Sequence, residues 1–530
     1  MIHTKRALGG VFVAPHHLAA QAGRDVLKEG GNAAEAMIAA AAAIAVVYPH
    51  MNSIGGDGFW LLSEPGKPPI GIDACGKAAG KATRAYYTDQ GFDAIPNRGP
   101  LAALTCAGTI GGWIKARETA REWGGKLPLN RLLSDAVNHA RRGVVVSGSQ
   151  ERLTRAKFDE LAHQPGFATD YLHNGQAPLE GSILTQSALG DTLAHLGKVG
   201  LDDFYRGETA KAMAEDLARV GSPLSLQDLN SQHARLVVPL KTELNNCTLY
   251  NMTPPTQGMA SLMILGMFDT LNVKEAEGFD YVHGLVESTK QAFLVRDRHC
   301  TDPAYMTVNP DDFLTREALA KRAAHIDMQK ALPWPQDPWQ GDTIWMGCID
   351  SEGRTASFIQ SVFWEFGSGV VCPSTGVMWQ NRGISFSLKA DALHALEPGR
   401  KPFHTLNPAM ARFNDGRSMV YGTMGGEGQP QTQAAVFSRY GLFNQPLQQS
   451  VTAPRWLLGR TWGEQSTTLK LENRFDASLV QALRDAGHDL EVLPEGFSDT
   501  MGHAGAIVMH PNGMIEGAAD PRSDGTVACV

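Results

Sequence analysis

Residues 331–363 read ALPWPQDPWQGD (331–342), TIWMGCID (343–350), SEG (351–353) and RTASFIQSVF (354–363), and the change of texture inside them decides the fold. The first twelve hold three prolines and a glycine. Proline fixes φ and lacks an N–H, so this stretch is expected to be an extended, exposed connector. A β-rich run opens at Thr343, turns at Ser351-Glu352-Gly353 and returns, which is the pattern of a hairpin. PAMARF (408–413), Asn414-Asp415-Gly416 and RSMVYG (417–422) predict a second hairpin, and AIVMHPNGMIEG (506–517) a third.

Upstream of the connector the chain reads differently. Residues 15–48 predict two helices parted by Gly30-Gly31, the second capped by Asn32. A Gly-rich loop, Ser53-Ile54-Gly55-Gly56-Asp57-Gly58, precedes a short strand, Phe59 to Ser63. Residues 110–330 read mainly as helices, and FDYVHGLVESTKQAFLVRD (279–297) carries apolar residues at three-to-four spacing. The expectation is an α/β sandwich of sheets covered by helices, in two parts: helix-rich 1–342, ending in the Pro-rich linker, and hairpin-rich 343–530.

Composition narrows the function. Apolar residues at 43% and charged residues at 19% fit a large-cored globule. A net charge of −8 without a long basic run gives no reason to expect nucleic acid or an anionic membrane as partner. Seven scattered cysteines without a CxxC pair point away from a disulfide framework or a zinc knuckle. Ala33 to Tyr48 is alanine-rich, contains Glu35 and stops at Pro49, so it reads as a buried helix rather than a membrane span. No secretion signal is recognisable at the N-terminus, which makes the cytoplasm the expected location.

Several sites fall away. GIDACGKA (71–78) approaches a phosphate-binding loop but has Ala78 where a hydroxyl is needed. Adjacent His16 and His17 cannot share a helix face, and neither HExxH nor GxSxG occurs. No cofactor and no metal are expected.

Thr343 is the candidate nucleophile. It follows the connector at Gly341-Asp342 and opens a strand whose hairpin partner carries a second hydroxyl, Ser361. Further on, Thr423-Met424-Gly425-Gly426-Glu427-Gly428 joins a strand to a helix starting near Gln429. Two glycines there leave backbone N–H groups able to meet an anion, as an oxyanion hole requires. A threonine hydroxyl needs a base. Cutting the bond before Thr343 would free an α-amine of pKa ~8 to serve as one.

The same residues resemble the γ-glutamyltranspeptidase family of N-terminal-nucleophile (Ntn) hydrolases. Gly-Gly-Asn (30–32), the loop at 54–58, DDFYRGETA (202–210), MTPPTQGM (252–259), FGSG (366–369), Gly425-Gly426 and GAADPRSDG (517–525) carry the likeness almost end to end. The resemblance implies an α/β fold, the αββα four-layer sandwich, formed jointly by a large subunit (1–342) and a small one (343–530) after autocatalytic cleavage. It also implies that Ser361 supports the nucleophile, and that the precursor yields a heterodimer, with further dimerisation left open.

The recognition residues depart from the family. An arginine that holds the donor's carboxylate aligns with Cys75. Asparagine, glutamine and aspartate contacts to the α-amine become Phe363, Arg382 and Ser385, and two carboxylate-binding serines become His404 and Thr405. A cationic Arg382 opposes an ammonium group. Beside bulky Phe363 and Trp364 it suits a short acyl group bearing its own carboxylate. The smallest such amide is oxamate, which hydrolyses to oxalate and ammonia, and WQNRG (379–383) resembles the amidohydrolases that act on it in bacterial purine (allantoin) breakdown.

The substrate-binding candidates are therefore Arg382, His404, Thr405 and Phe363, with Arg98 as a further anion contact. The bland alternatives are a surface ion pair for Arg382 and a packed polar residue for His404. The competing functions are a γ-glutamyl hydrolase or transpeptidase, a cephalosporin-type acylase, and an uncleaved binding-only member.

Overall fold

A computed structural model describes residues 3–334, 342–459 and 467–530, with Asp342 described by its backbone alone. Most of the connector, 335–341, lies outside the described residues. Seven strands of the two large sheets come from the first part of the chain: β1 (Lys5–Ala7), β2 (Gly10–Ala14), β3 (Asp57–Ser63), β4 (Ile70–Ala74), β5 (Arg235–Val237), β6 (Leu240–Glu243) and β7 (Cys247–Asn251). Seven more follow the connector: β8 (Asp342–Asp350), β9 (Thr355–Phe363), β10 (Ala409–Phe413), β11 (Ser418–Thr423), β12 (Ala504–Met509), β13 (Ile515–Ala519) and β14 (Thr526–Cys529).

One sheet runs β1-β13-β12-β11-β10-β7-β6 and the other β14-β2-β8-β9-β3-β4-β5. Each sheet therefore mixes strands from before and after the connector. The short strands at 235–251 lie within the stretch read as helical, because three- to five-residue strands give too few positions to display alternation. The three expected hairpins are present as β8/β9, β10/β11 and β12/β13.

The layers follow from side-chain alternation. Along β8, Ile344, Met346 and Cys348 face the core beneath helices α1 (His17–Lys28) and α2 (Ala33–Val47), whereas Trp345 and Ile349 face the opposite sheet. Trp345 fills space left by two glycines. A Cβ on Gly422 would come within 2.2 Å of its ring, and one on Gly505 within 2.5 Å. Helices α3 (Gly258–Thr270), α4 (Phe279–His299) and α5 (Gly428–Phe437) cover the outer face of the first sheet. The result is four layers, αββα.

Helix α2 is buried over its whole length, and its one charge is spent at its start. Asn32 caps the Ala34 and Glu35 amides, while Glu35 accepts from the Asn32 amide at 3.1 Å. Among the described residues no helix is long and apolar enough to cross a membrane.

Candidate active site

The β8/β9 hairpin places Thr343. Asp342 pairs with Phe363 and Ile344 with Gln360, so the register slips by one residue and Thr343 sits in the bulge between them. The strand begins at Asp342, one residue before the expected start, because Asp342 finds a backbone partner in Phe363. Thr343 is fully buried. Ser361 lies opposite Asp57 of β3, and its hydroxyl accepts the Phe363 amide at 2.7 Å. Phe363 has φ +85°, a conformation that side chains rarely adopt, so the strand end facing Thr343 is held in strain. The Gly-rich loop exists to let backbone approach here: a Cβ on Gly56 would lie 2.0 Å from the Ser361 carbonyl.

The second wall is the turn between β11 and α5. Gly425 has φ +121° and Gly426 φ +51°. Their carbonyls accept the Gly428 and Gln429 amides at 2.7 and 3.3 Å, but their own N–H groups donate to nothing among the described residues. Two bare amides at a helix N-terminus make an anion site.

The third wall is cationic. Arg382 is 1% exposed, and its guanidinium carbon lies 3.7 Å from the centre of the Phe363 ring. Both terminal nitrogens reach the Thr405 hydroxyl at 3.3 Å, and Nε has no hydrogen-bond partner among the described residues. No described carboxylate forms an ion pair with it. Burial pulls its pKa down to about 9, opposed by the charge of Asp57 and by Cys75, so it remains a cation at neutral pH.

Asp57 and His404 stand behind it. Asp57 Oδ1 accepts from the Gly76 amide (2.9 Å), the Gly108 amide (3.0 Å) and Gln380 Nε2 (3.1 Å), while Oδ2 bonds His404 Nε2 at 2.9 Å. Burial raises the Asp57 carboxyl to about 7 despite those donors and the Arg382 charge. Burial, then the charges of Arg382 and Lys401, hold His404 well below its ordinary value, so its ring is neutral. His404 Nδ1 has no partner.

The structure thus brings Thr343, Ser361, Phe363, Arg382, Thr405 and His404 to one region beside Gly425 and Gly426. Arg98, expected as a further anion contact, bonds Glu160 from Nε at 2.9 Å and the carbonyls of Glu365 (2.7 Å) and Gly367 from Nη1. Ser385 turns back to the Arg382 carbonyl at 3.0 Å. Three residues went unassigned in the sequence: Asp57, Gln257 and Arg296. The first lies in the Gly-rich loop and the second in MTPPTQGM, so a polar residue inside a glycine- or proline-bounded motif was the available signal. Arg296 had only its place on a buried helix.

Two sets of side chains have donor atoms within 4.8 Å of one another, Asp57–Cys75–His404 and His283–Glu287–His488. In the first, Asp57 is saturated with N–H donors, burial holds the Cys75 thiol neutral, and the Arg382 charge lies beside it. In the second, His283 bonds His488 at 2.9 Å, and Lys290 bonds Glu287 at 2.7 Å. Both are better suited to hydrogen bonding than to a metal ion.

The gamma-glutamyltranspeptidase family model matches residues 19–530. The chain is 54% identical over 520 residues to the oxamate amidohydrolase proenzyme of Klebsiella pneumoniae subsp. pneumoniae, covering 98% of each. It is 37% identical to the glutathione hydrolase-like YwrD proenzyme of Bacillus subtilis, over 97% of each. Among solved structures, cephalosporin acylase from Bacillus halodurans superposes with a TM-score of 0.91 at 30% identity, covering 100% of this chain and 97% of that one.

Proposed function

The chain belongs to the gamma-glutamyltranspeptidase family, and on that premise we propose that it is the precursor of an amidohydrolase that converts oxamate to oxalate and ammonia. Its αββα sandwich is that of the Ntn hydrolases. In this reading the Thr343 hydroxyl attacks the Asp342 carbonyl, the amide nitrogen leaves as the Thr343 α-amine, and water hydrolyses the resulting ester, giving chains 1–342 and 343–530. The new α-amine, of pKa ~8, takes the proton of the Thr343 hydroxyl. The hydroxyl oxygen attacks the amide carbonyl, and the Gly425 and Gly426 amides hold the oxyanion. The C–N bond then breaks, a proton goes to the leaving nitrogen, and ammonia departs from an oxalyl ester. Water hydrolyses that ester, releasing oxalate and restoring Thr343. Ser361 supports the nucleophile's end of the hairpin.

One observation carries the substrate: the Arg382 guanidinium is buried with no carboxylate among the described residues bonded to it. Such a cation is costly unless an anion meets it. The bulky Phe363 ring packs against it, which favours a carboxylate one bond from the amide carbon over the longer γ-glutamyl or glutaryl groups. The Klebsiella relative's name supports the same choice. The proposal extends to a place in purine-derived amide breakdown and to a cytoplasmic location.

The test is ammonia release from oxamate, set against turnover of a γ-glutamyl anilide and a glutaryl amide, together with N-terminal sequencing of the smaller chain. Preference for a γ-glutamyl donor would overturn the substrate. A small chain beginning elsewhere than Thr343 would overturn the nucleophile.

A further inference from the structure

Gln257 occupies the N-cap position of α3, wholly buried between the two halves of the site. Its Nε2 donates to the Thr405 carbonyl at 2.8 Å and to the Gly426 carbonyl at 2.8 Å. Its backbone N–H donates to the His404 carbonyl at 3.0 Å. Arg296 of α4 donates from Nη1 to Gln257 Oε1 at 3.0 Å. Arginine only donates, so this contact fixes which end of the amide carries the N–H groups.

The other arms of Arg296 reach Glu427 at 2.8 Å and Asp297 at 2.7 Å, and its guanidinium lies over Phe293 at 3.8 Å. Both N–H bonds of one side chain are therefore spent on two carbonyls from distant parts of the chain. One belongs to the residue whose hydroxyl holds Arg382. The other belongs to the turn whose amides face the oxyanion position.

We infer that Gln257, oriented by Arg296, is a positioning residue that sets the distance between the Arg382–Thr405 anion grip and the Gly425–Gly426 oxyanion turn. The inference rests on the roles proposed above for those two elements. A carboxylate and an amide carbonyl on adjacent carbons leave little tolerance, since their separation is covalently fixed. A grip and a hole moved apart by about 1 Å can cost on the order of 10²-fold in rate. Loss of the two donors also leaves two buried carbonyls unpaired, which favours separation of the segments.

The experiment uses Gln257→Met, which keeps length without donors, and Gln257→Glu, which keeps the Arg296 contact but turns an oxygen toward both carbonyls. kcat and KM are measured on whichever amide the wild type hydrolyses best, using protein shown to be folded by melting and cleaved on a denaturing gel. Both variants should lower kcat at least ~10-fold and raise KM at least ~3-fold together, Glu more than Met.

A change in kcat alone, a change in KM alone, or wild-type values overturns the coupling. Should neither variant mature, Arg296→Lys provides the second route. Its shorter reach releases Gln257, and the same joint change is expected; wild-type kinetics in that variant overturn the inference. A wild type that ignores oxamate defeats the substrate reading and leaves this test intact.

Discussion

The guanidinium carbon of Arg382 lies 3.7 Å from the centre of the Phe363 ring, and Phe363 is the residue whose backbone pairs with Asp342. The cation and the proposed cleavage point are thus two faces of one strained strand end. In the proposed mechanism, precursor cleavage and substrate recognition would meet there, at a residue with φ +85°.

Thr343→Ala should leave a folded, full-length chain without amidase activity. The hydroxyl serves both steps in the proposed mechanism, whereas the methyl group still fills the bulge. The readout is band size on a denaturing gel alongside ammonia release, with Thr343→Ser retaining both functions at reduced rate. Cleavage before residue 343 in the alanine variant would end the autocatalytic account.

Arg382→Met should still be cleaved but should raise KM for oxamate by about 10- to 100-fold, as expected for losing a charged hydrogen-bonding partner of ~1.5–3 kcal/mol. Arg382→Lys should recover little of this, because an ammonium cannot offer the two-pronged geometry. Unchanged KM in both would remove Arg382 from substrate recognition.

Asp57 predicts a pH effect. Its carboxyl titrates at about 7, raised by burial, so it is neutral below that pH and ionised above it. Once ionised, it competes with the substrate's carboxylate for the field of Arg382. Inhibition by oxalate should therefore weaken as pH rises through 7, and Asp57→Asn should flatten that slope. The stability sign agrees. A raised folded-state value means the contribution is fully present below the unfolded pKa of ~3.9 and is lost as pH climbs through 7. The melting temperature of the wild type relative to Asp57→Asn should accordingly fall between pH 4 and 7. A parallel pair of curves would contradict this assignment.

Gly422→Ala tests the packing between the sheets. Its Cβ would come 2.2 Å from the Trp345 ring, so two buried strands must part. A loss of ~1–3 kcal/mol in denaturant unfolding is expected. Trp345→Ala in the same background should make Gly422→Ala nearly neutral, and additive losses would refute the contact.

The family and its fold were legible in the sequence because they are written in local patterns. Hairpins with two-face alternation, an Asn cap with Glu35 three residues on, and a glycine pair between strand and helix each impose their geometry over a few residues. Sequence also marked Arg382 as foreign to an ammonium site, since charge is a property of the residue itself. Only the tertiary structure decided what those residues face. It buried Arg382 without a carboxylate, spent Arg98 on backbone carbonyls, seated Asp57 against His404, and set Gln257 between two carbonyls more than twenty residues apart in the chain. Burial and partnership arise from segments distant in sequence meeting in space. Desolvation and hydrogen-bond competition are settled by that meeting, and no local pattern encodes them.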